Sequence, residues 1–507
     1  MFLAPRVGPI CEPLTGLRWD PAMTQLQVDL RVAGYRALGV GRGDRALLGY
    51  GNRLEFFADL LALWRVGACA VPIDSRLTVF EIEVLALAAK ARIFVGCGGV
   101  DPEVAGRMAA LGIKVVDSVE VGAAAGSPTS SLPSFGLDDE ALILFTSGTT
   151  GNPKGVVHTH RSLRARWMSL RCHLGLEKYR RTLCLLPTHF GHGLICNSLF
   201  PWLSGQELFI LPPFKSDAIM RLGRLIDEHR ITFLSSSPAV WRLALKTSKP
   251  PEGGTLERVS VGSAPLSAAL WREIRRWSGT DDVANVYGIT ETGSWAAGTT
   301  LGHFEPEDGL VGVPWGGIAA VTRDGSVEAP PGIGEICPEG EPGFVWLNTP
   351  ALMKGYLDCD ELTAQCVRGG WFLTGDLGFF DDRGRLFLRG RVRDEINKGG
   401  SKVYPADVEA VAERFPGLTD LCCFAVEDPA YGQNVGLALV LDDPGPDRLR
   451  AFHDLLRRHL ADYQMPLRLY LVDSLPRTSR GKINRDHVAA ACAGLTPVDL
   501  RGILSGP

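Results

Sequence analysis

An α/β architecture of at least two domains is predicted by three observations. The 507 residues exceed what one hydrophobic core supports. Strand-like apolar runs alternate with helical patterns through the first half, the order that builds a parallel, doubly wound sheet. A second alternation of helix and strand over residues 395–490 marks an independent unit.

In chain order, residues 24–38 and 54–66 carry helical periodicity, and 38–48 read as a turn leading into a strand. Leu60 to Ile73 is a helix followed by a strand, and Ala91–Val95 and Lys114–Val116 continue the alternation. Residues 122–137, rich in Gly, Ser and Pro, are expected to be a surface linker. Ala141–Phe145 is a buried strand by composition, and it delivers Leu144-Phe-Thr-Ser-Gly-Thr-Thr-Gly-Asn-Pro-Lys-Gly155 to a sheet edge. Three glycines, four hydroxyls and one lysine in those twelve residues suit an anion: glycines let backbone N–H groups turn inward, hydroxyls add donors, and Lys154 adds charge. The usual nucleotide loop needs Gly-Lys-Ser/Thr opening a helix, whereas here Pro153 precedes Lys154 and Gly155 follows it. A solvated Gly/Ser/Thr loop would share this composition.

Further on, Leu185-Leu-Pro-Thr-His-Phe190-Gly-His192-Gly193 places two histidines beside glycines. Leu234-Ser-Ser-Ser-Pro238 and Val259-Ser-Val-Gly262-Ser263-Ala264-Pro265 are strand ends turning into helices, where a ligand lies against backbone. In Asn285-Val-Tyr287-Gly288-Ile289-Thr290-Glu291-Thr292-Gly293, the Tyr287 ring suits a base, Thr290 suits a phosphate and Glu291 suits a hard cation; by itself the stretch would be a turn and a helix cap. Residues 305–345, dense in Gly, Pro and short strands, suggest a small barrel-like unit. Trp371-Phe-Leu-Thr-Gly-Asp376-Leu-Gly378 and Gly390-Arg391-Val-Arg393-Asp-Glu-Ile-Asn-Lys-Gly399-Gly400 follow. The hydroxyl-rich Pro476-Arg-Thr-Ser-Arg-Gly-Lys482 presents a reachable cation, as an exposed basic loop also would.

These stretches, in this order, resemble the motifs of the adenylate-forming enzymes, which include acyl-CoA synthetases, peptide-synthetase adenylation domains and beetle luciferases; Thr146–Gly155 resembles their signature. The resemblance implies a large N-terminal domain over residues 1–390, made of doubly wound parallel sheets plus a small distorted β-barrel. A hinge at 391–394 and a small mobile α+β C-terminal domain over 395–507 complete it. It implies an acid–CoA ligase using ATP, Mg²⁺ and coenzyme A: a carboxylic acid becomes its adenylate and then its thioester. Thr146, Ser147, Gly148, Thr149, Thr150 and Lys154 would hold phosphates, and Gly262, Ser263, Ala264 and Pro265 would run along adenine and acyl group. Ser263 replaces a commonly found glycine, narrowing the site. Tyr287 and Gly288 would meet adenine, Thr290 a phosphate, Glu291 the Mg²⁺, Asp376 the ribose, and Arg391 the ribose or phosphate. Arg393 stands at the pivot, where the family usually has Asp or Lys; Gly399 and Gly400 would line the pantetheine channel. Thr290, Glu291 and above all Lys482 are the expected catalytic side chains, Lys482 touching the carboxylate and the α-phosphate.

By the same resemblance Phe190 walls the acyl pocket, with His192, Gly193, Val240, Trp241, Ile289 and Trp295 beside it. That lining favours a hydrophobic cyclic or aromatic acid. No acid occurs between Thr182 and Gln206, where amino-acid adenylation domains hold the substrate ammonium, so an α-amino acid is disfavoured. A carrier-protein pantetheine as acceptor, and a protein that only takes a preformed acyl-adenylate, stay open. A net charge of −4 with mixed signs gives no basic face for nucleic acid. No leader pattern or membrane-length apolar run occurs, so a cytoplasmic protein without a membrane partner is expected, and a homodimer is compatible. The twelve cysteines are expected to be reduced, buried fillers, and the ten histidines lack ligand spacing for a structural transition metal.

Overall fold

The computed structural model describes residues 7–123, 136–146, 153–213, 216–300, 304–326, 335–477 and 483–498. Its strands form three sheets. In the first, Lys114–Asp117, Ile93–Gly96, Arg45–Leu48, Cys69–Pro72 and Glu140–Thr146 lie side by side in parallel, and Lys154–Thr159 then pairs antiparallel with Glu140–Thr146. In the second, Ile10–Glu12, Glu207–Ile210, Arg181–Cys184, Phe233–Ser236, Arg258–Gly262 and Val283–Ile289 are parallel. Their carboxyl ends carry four of the stretches singled out in the sequence.

Helices cover these sheets because their apolar residues permit it. Leu54–Val66 is apolar almost all round and buries Phe56, Phe57, Leu60, Leu63 and Trp64, so it sits inside the main core. Ala268–Ser278 is one-sided: Leu270, Trp271, Ile274 and Trp277 face the sheet. Ser267 caps its start, and Gly279, at φ +70°, ends it in the left-handed conformation that glycine tolerates.

The barrel expected over 305–345 is instead an open antiparallel wing that continues the second sheet. From Val283–Ile289 the order runs through Ser294–Gly298, Leu310–Pro314, Leu386–Arg391, Trp371–Phe380 and Gly343–Asn348 to Ile318–Thr322. Bulges at Leu310/Gly312, Phe344/Trp346 and Leu377/Gly378 bend these strands. A barrel needs its last strand to return to its first. Here Ile318–Thr322 bonds only Gly343–Asn348 along its length, with a single bridge from Thr322 to Ile336 among the described residues.

The third sheet, over Ile396–Lys398, Ser401–Val403, Leu418–Asp428, Gly432–Leu441 and Arg468–Leu471, is mixed, with its own core around Val408, Leu437, Phe452 and Leu456. The change from the second sheet to the third falls between Arg391 and Ile396, across the short turn Val392–Asp394. All twelve cysteines are unpaired; seven are buried, Cys97, Cys337 and Cys366 are half-buried and Cys172 and Cys359 are exposed, so the expectation of buried fillers holds for seven of the twelve. No helix among the described residues is long and apolar enough to cross a membrane.

Candidate active site

The glycine- and hydroxyl-rich stretch joins two antiparallel strands, with Thr146 opposite Lys154 at its mouth. Ser147, Gly148, Thr149 and Thr150 lie outside the described residues. Lys154 Nζ stands 5.8 Å from the ring centre of Tyr356, and the Tyr356 hydroxyl donates to Glu291 Oε1 at 2.7 Å. A cation, an aromatic ring and a carboxylate thus follow one another across three separate segments. Burial and the Glu291 charge push the Tyr356 phenol far up, so it stays a donor.

The turn that carries Glu291 is braced at every carbonyl. His158 Nε2 donates to Thr290 O at 2.8 Å, Met353 N donates to Glu291 O at 2.8 Å, and Arg166 donates to Thr292 O through Nε at 3.1 Å and Nη2 at 2.8 Å. Because a carbonyl only accepts, His158 carries its proton on Nε2. Burial lowers its pKa to about 4, so the ring is neutral near pH 7. Arg166 is wholly buried and its pKa falls to about 10, still well on the charged side. Gly293 leaves the turn at φ +69° and Ser294 follows at φ +73°. The side chains of Thr290 and Glu291 therefore project from a backbone with little freedom to move.

Asp376 joins the expected nucleotide residues. Its Oδ2 accepts from the Tyr287 hydroxyl, its Oδ1 pairs with Arg391 Nε at 3.0 Å, and its own N–H donates to Thr374 Oγ1 at 3.0 Å. The carboxylate holds the Arg391 guanidinium firmly charged, and burial beside it pushes the Tyr287 phenol well up. Gly288 is required by space: a Cβ there would stand 1.9 Å from Ser294 O. At Gly262 a Cβ would meet Val286 O at 2.5 Å. Ala264 and Pro265 are exposed just beyond that strand.

The acyl-wall residues divide into two groups. His192 lies edge-on to Trp295, ring centres 5.3 Å apart, and both are buried. Phe190 is nearly buried in the turn before His192, Ile289 is half-buried, and a Cβ on Gly193 would meet Pro187 O at 2.3 Å. Val240 and Trp241 sit elsewhere, in the core cluster that also holds Leu270 and Trp277, with the Trp241 ring 5.4 Å from that of Trp277. His192–Leu199 is not a loop but one stretch of π-helix, the wide helical form often found at functional sites. Its buried polar contacts are specific: His192 Nδ1 meets Ser263 Oγ at 2.8 Å and Nε2 meets Ser235 Oγ at 2.6 Å.

In the third sheet, Gly399 and Gly400 form the two-residue tip of a hairpin, with φ +57° and +93°, the positive pair that such tips require. Arg393 is exposed and lies 3.3 Å from Asp394. Lys482 lies outside the described residues, but the flanks of its loop are defined: Arg477 bridges Ile483, and Arg485 pairs with Glu409 and lies 3.5 Å from Asp394. Three participants were not assigned from sequence. Tyr356 sits in a Gly-Tyr pair with no local signal, Arg166 faces inward from an otherwise ordinary helix, and His158 lies just past the glycine- and hydroxyl-rich stretch without a motif of its own.

The family model for AMP-binding enzymes matches residues 28–357, and that for their C-terminal domain matches 407–482. The 2-succinylbenzoate–CoA ligase of Bacillus licheniformis is 30% identical over 452 residues, covering 89% of this chain and 90% of its own. A feruloyl-CoA synthase of an Amycolatopsis species is 31% identical over 480 residues, covering 92% and 93%. The ATP-bound structure of MatB from Rhodopseudomonas palustris superposes with a TM-score of 0.85 at 26% identity, covering 97% of both chains. Motifs, fold and relatives agree: the chain belongs to the AMP-binding, adenylate-forming enzymes and, within them, to the AMP-forming acyl-CoA synthetases.

Proposed function

We propose that this enzyme activates a hydrophobic, cyclic or aromatic carboxylic acid with ATP and passes the acyl group to coenzyme A. The observation that carries the substrate class is the aromatic wall of His192 against Trp295, with His192 bonded to Ser235 and Ser263 at the carboxyl ends of two parallel strands. Two relatives whose names specify aromatic acids support it.

In the first half-reaction a carboxylate oxygen attacks the α-phosphorus and pyrophosphate leaves. Lys154 and the cradle hydroxyls hold the outer phosphates, Thr290 bonds a phosphate oxygen, and Asp376 accepts from the ribose hydroxyls. Lys482 offsets the charge that grows on the α-phosphate and carboxylate oxygens. No three carboxylate, thiol or imidazole groups converge among the described residues. One hard oxygen ligand completed by phosphate oxygens is nevertheless what Mg²⁺ accepts, and Glu291 fits that role. When bound, Mg²⁺ supplies charge neutralisation at the phosphates. In the second half-reaction the thiol of coenzyme A attacks the acyl carbonyl and AMP leaves. Rotation of the 395–507 domain about 391–394, with Arg393 as pivot, withdraws Lys482 and brings Gly399 and Gly400 toward the pantetheine channel.

Acid-dependent exchange of labelled pyrophosphate into ATP tests the reading. Exchange is expected with aromatic acids, and Lys482→Ala is expected to slow it roughly 10²- to 10⁴-fold. Thioester formation from synthetic acyl-adenylate and coenzyme A should barely change in that variant. A wild-type protein that makes thioester from the adenylate yet shows no exchange would replace this reading with acyl transfer alone.

A further inference from the structure

Ser263, His192 and Ser235 form a directed chain of hydrogen bonds, and its direction sets what the chain's open end can do. Ser235 Oγ donates to Ser260 O at 3.1 Å, so its oxygen is left to accept from His192 Nε2 at 2.6 Å. The proton of a neutral imidazole is thereby placed on Nε2. Nδ1 is then an acceptor, and the group 2.8 Å from it is the Ser263 hydroxyl, which must donate. The ring is 4% exposed and lies edge-on to Trp295, ring centres 5.3 Å apart.

Exposure falls along the same chain. Ser235 is fully buried and His192 nearly so, whereas Ser263 is half-buried and lies at the carboxyl end of Arg258–Gly262. Ser263 is therefore the end that meets a ligand. With its proton committed to His192, its oxygen presents lone pairs only. Ser263 also has φ +69°, a left-handed conformation where glycine would sit without strain. A side chain held there against the backbone preference is a pointer to use.

We propose that Ser263 is a specificity-determining residue that accepts a hydrogen bond from a donor on the acyl group, so that the acid is one bearing a hydroxyl or amino substituent. His192 acts through Ser263 as a positioning residue that fixes the direction of that bond. A second carboxylate, a ketone or a halogen would set lone pairs against lone pairs, and a bare hydrocarbon would leave the Ser263 oxygen without a partner. The inference rests on the ligase reading above and narrows its substrate class.

The test uses aryl acyl-sulfamoyl adenosines, stable mimics of the acyl-adenylate, in sets that differ only by hydroxyl, amino, cyano or hydrogen at each ring position. Binding is measured calorimetrically on the full chain. The wild type is expected to bind one hydroxyl or amino isomer about 10- to 100-fold more tightly than its hydrogen counterpart. In Ser263→Gly, which relieves the backbone and is the variant safest for folding, that preference should fall to within about 3-fold. In His192→Phe the Ser263 proton is released, and preference should move toward the cyano isomer, a change that loose packing alone would not produce. Tight binding without a donor preference in the wild type, or a preference that survives Ser263→Gly, overturns the inference and leaves the ligase reading intact. No binding of any sulfamoyl adenosine, together with no pyrophosphate exchange, overturns the ligase reading and the inference with it.

Discussion

Tyr356 is the side chain that links Lys154 to Glu291. Its hydroxyl donates to one oxygen of Glu291 at 2.7 Å while the Lys154 ammonium stands 5.8 Å from its ring centre, so one side chain meets both the carboxylate and the cation. Replacing Glu291 with Gln removes the charge that would hold Mg²⁺; Tyr356→Phe keeps the charge and releases its orientation. Calorimetric titration of ATP at a series of Mg²⁺ concentrations should therefore show the larger rightward shift for Glu291→Gln, and for Tyr356→Phe a shift worth about 0.5–1.5 kcal/mol, the usual value of one hydrogen bond. An unaltered Mg²⁺ dependence in Glu291→Gln would remove Glu291 from that role. The residue types of this corner were readable in part. Lys154 and Glu291 stood in dense polar motifs, whereas Tyr356 reaches them only because Gly355–Tyr356 pairs with Val156 and Val157 across the sheet, a tertiary fact with no local trace. Trp241 shows the opposite failure. An aromatic near a strand end reads the same whether it faces a ligand or, as here, another tryptophan across a core.

At the scale of elements, the turn Thr290–Thr292 is held by three neighbours: the strand Lys154–Thr159 through His158, the helix His160–Leu174 through Arg166, and the backbone N–H of Met353. The strand that begins at Lys154 and the turn that carries Glu291 are thus bonded directly to each other. Alternation and glycine spacing disclosed the strands on both sides, but not this bond between them. The π-helix at His192–Leu199 was hidden for a related reason: its apolar run fits no single period, and only the packed structure selects the wider spiral. The buried His158 makes the assembly acid-sensitive. In the unfolded chain a histidine takes up its proton near pH 6.5, but in the fold it does so only at about 4. Between those values the unfolded state binds more protons, so stability is full above pH 6.5 and falls as the pH drops through this window. His160, with its pKa also lowered to about 4 by burial, adds a slope of the same sign. Comparing urea unfolding of the wild type and His158→Gln at pH 7 and pH 5 should show the wild type losing about 2 kcal/mol more than the variant over that interval. Equal losses would mean that His158 is not kept neutral by the fold.

For the whole molecule, the question is what holds the unit beyond Glu395 against the rest in the orientation seen. Among the described residues, three ion pairs cross the junction: Arg389 with Asp407 at 2.9 Å, Arg414 with Asp308 at 3.3 Å, and Arg242 with Glu413. The last is the most enclosed, and burial pushes the Glu413 carboxyl up despite the Arg242 charge. A pair this sheltered adds little net stability, but loss of one partner leaves the other charge stranded. The rotation proposed for catalysis would separate Arg242 and Glu413, because they lie on opposite sides of the turn Val392–Asp394. Glu413→Gln should therefore shift the balance of orientations, and a coupling of 1–3 kcal/mol would change the populations by roughly 5- to 150-fold. Two measurements read this directly: energy transfer between dyes placed on either side of the hinge, and the rate of tryptic cleavage at Arg391 and Arg393. Measured separately, the two half-reactions should move unequally, with the one served by the present orientation slowed and the other spared or quickened. Equal slowing of both, with an unaltered dye distance, would make Arg242–Glu413 a contact of stability alone and leave the orientation to be held by the two outer pairs.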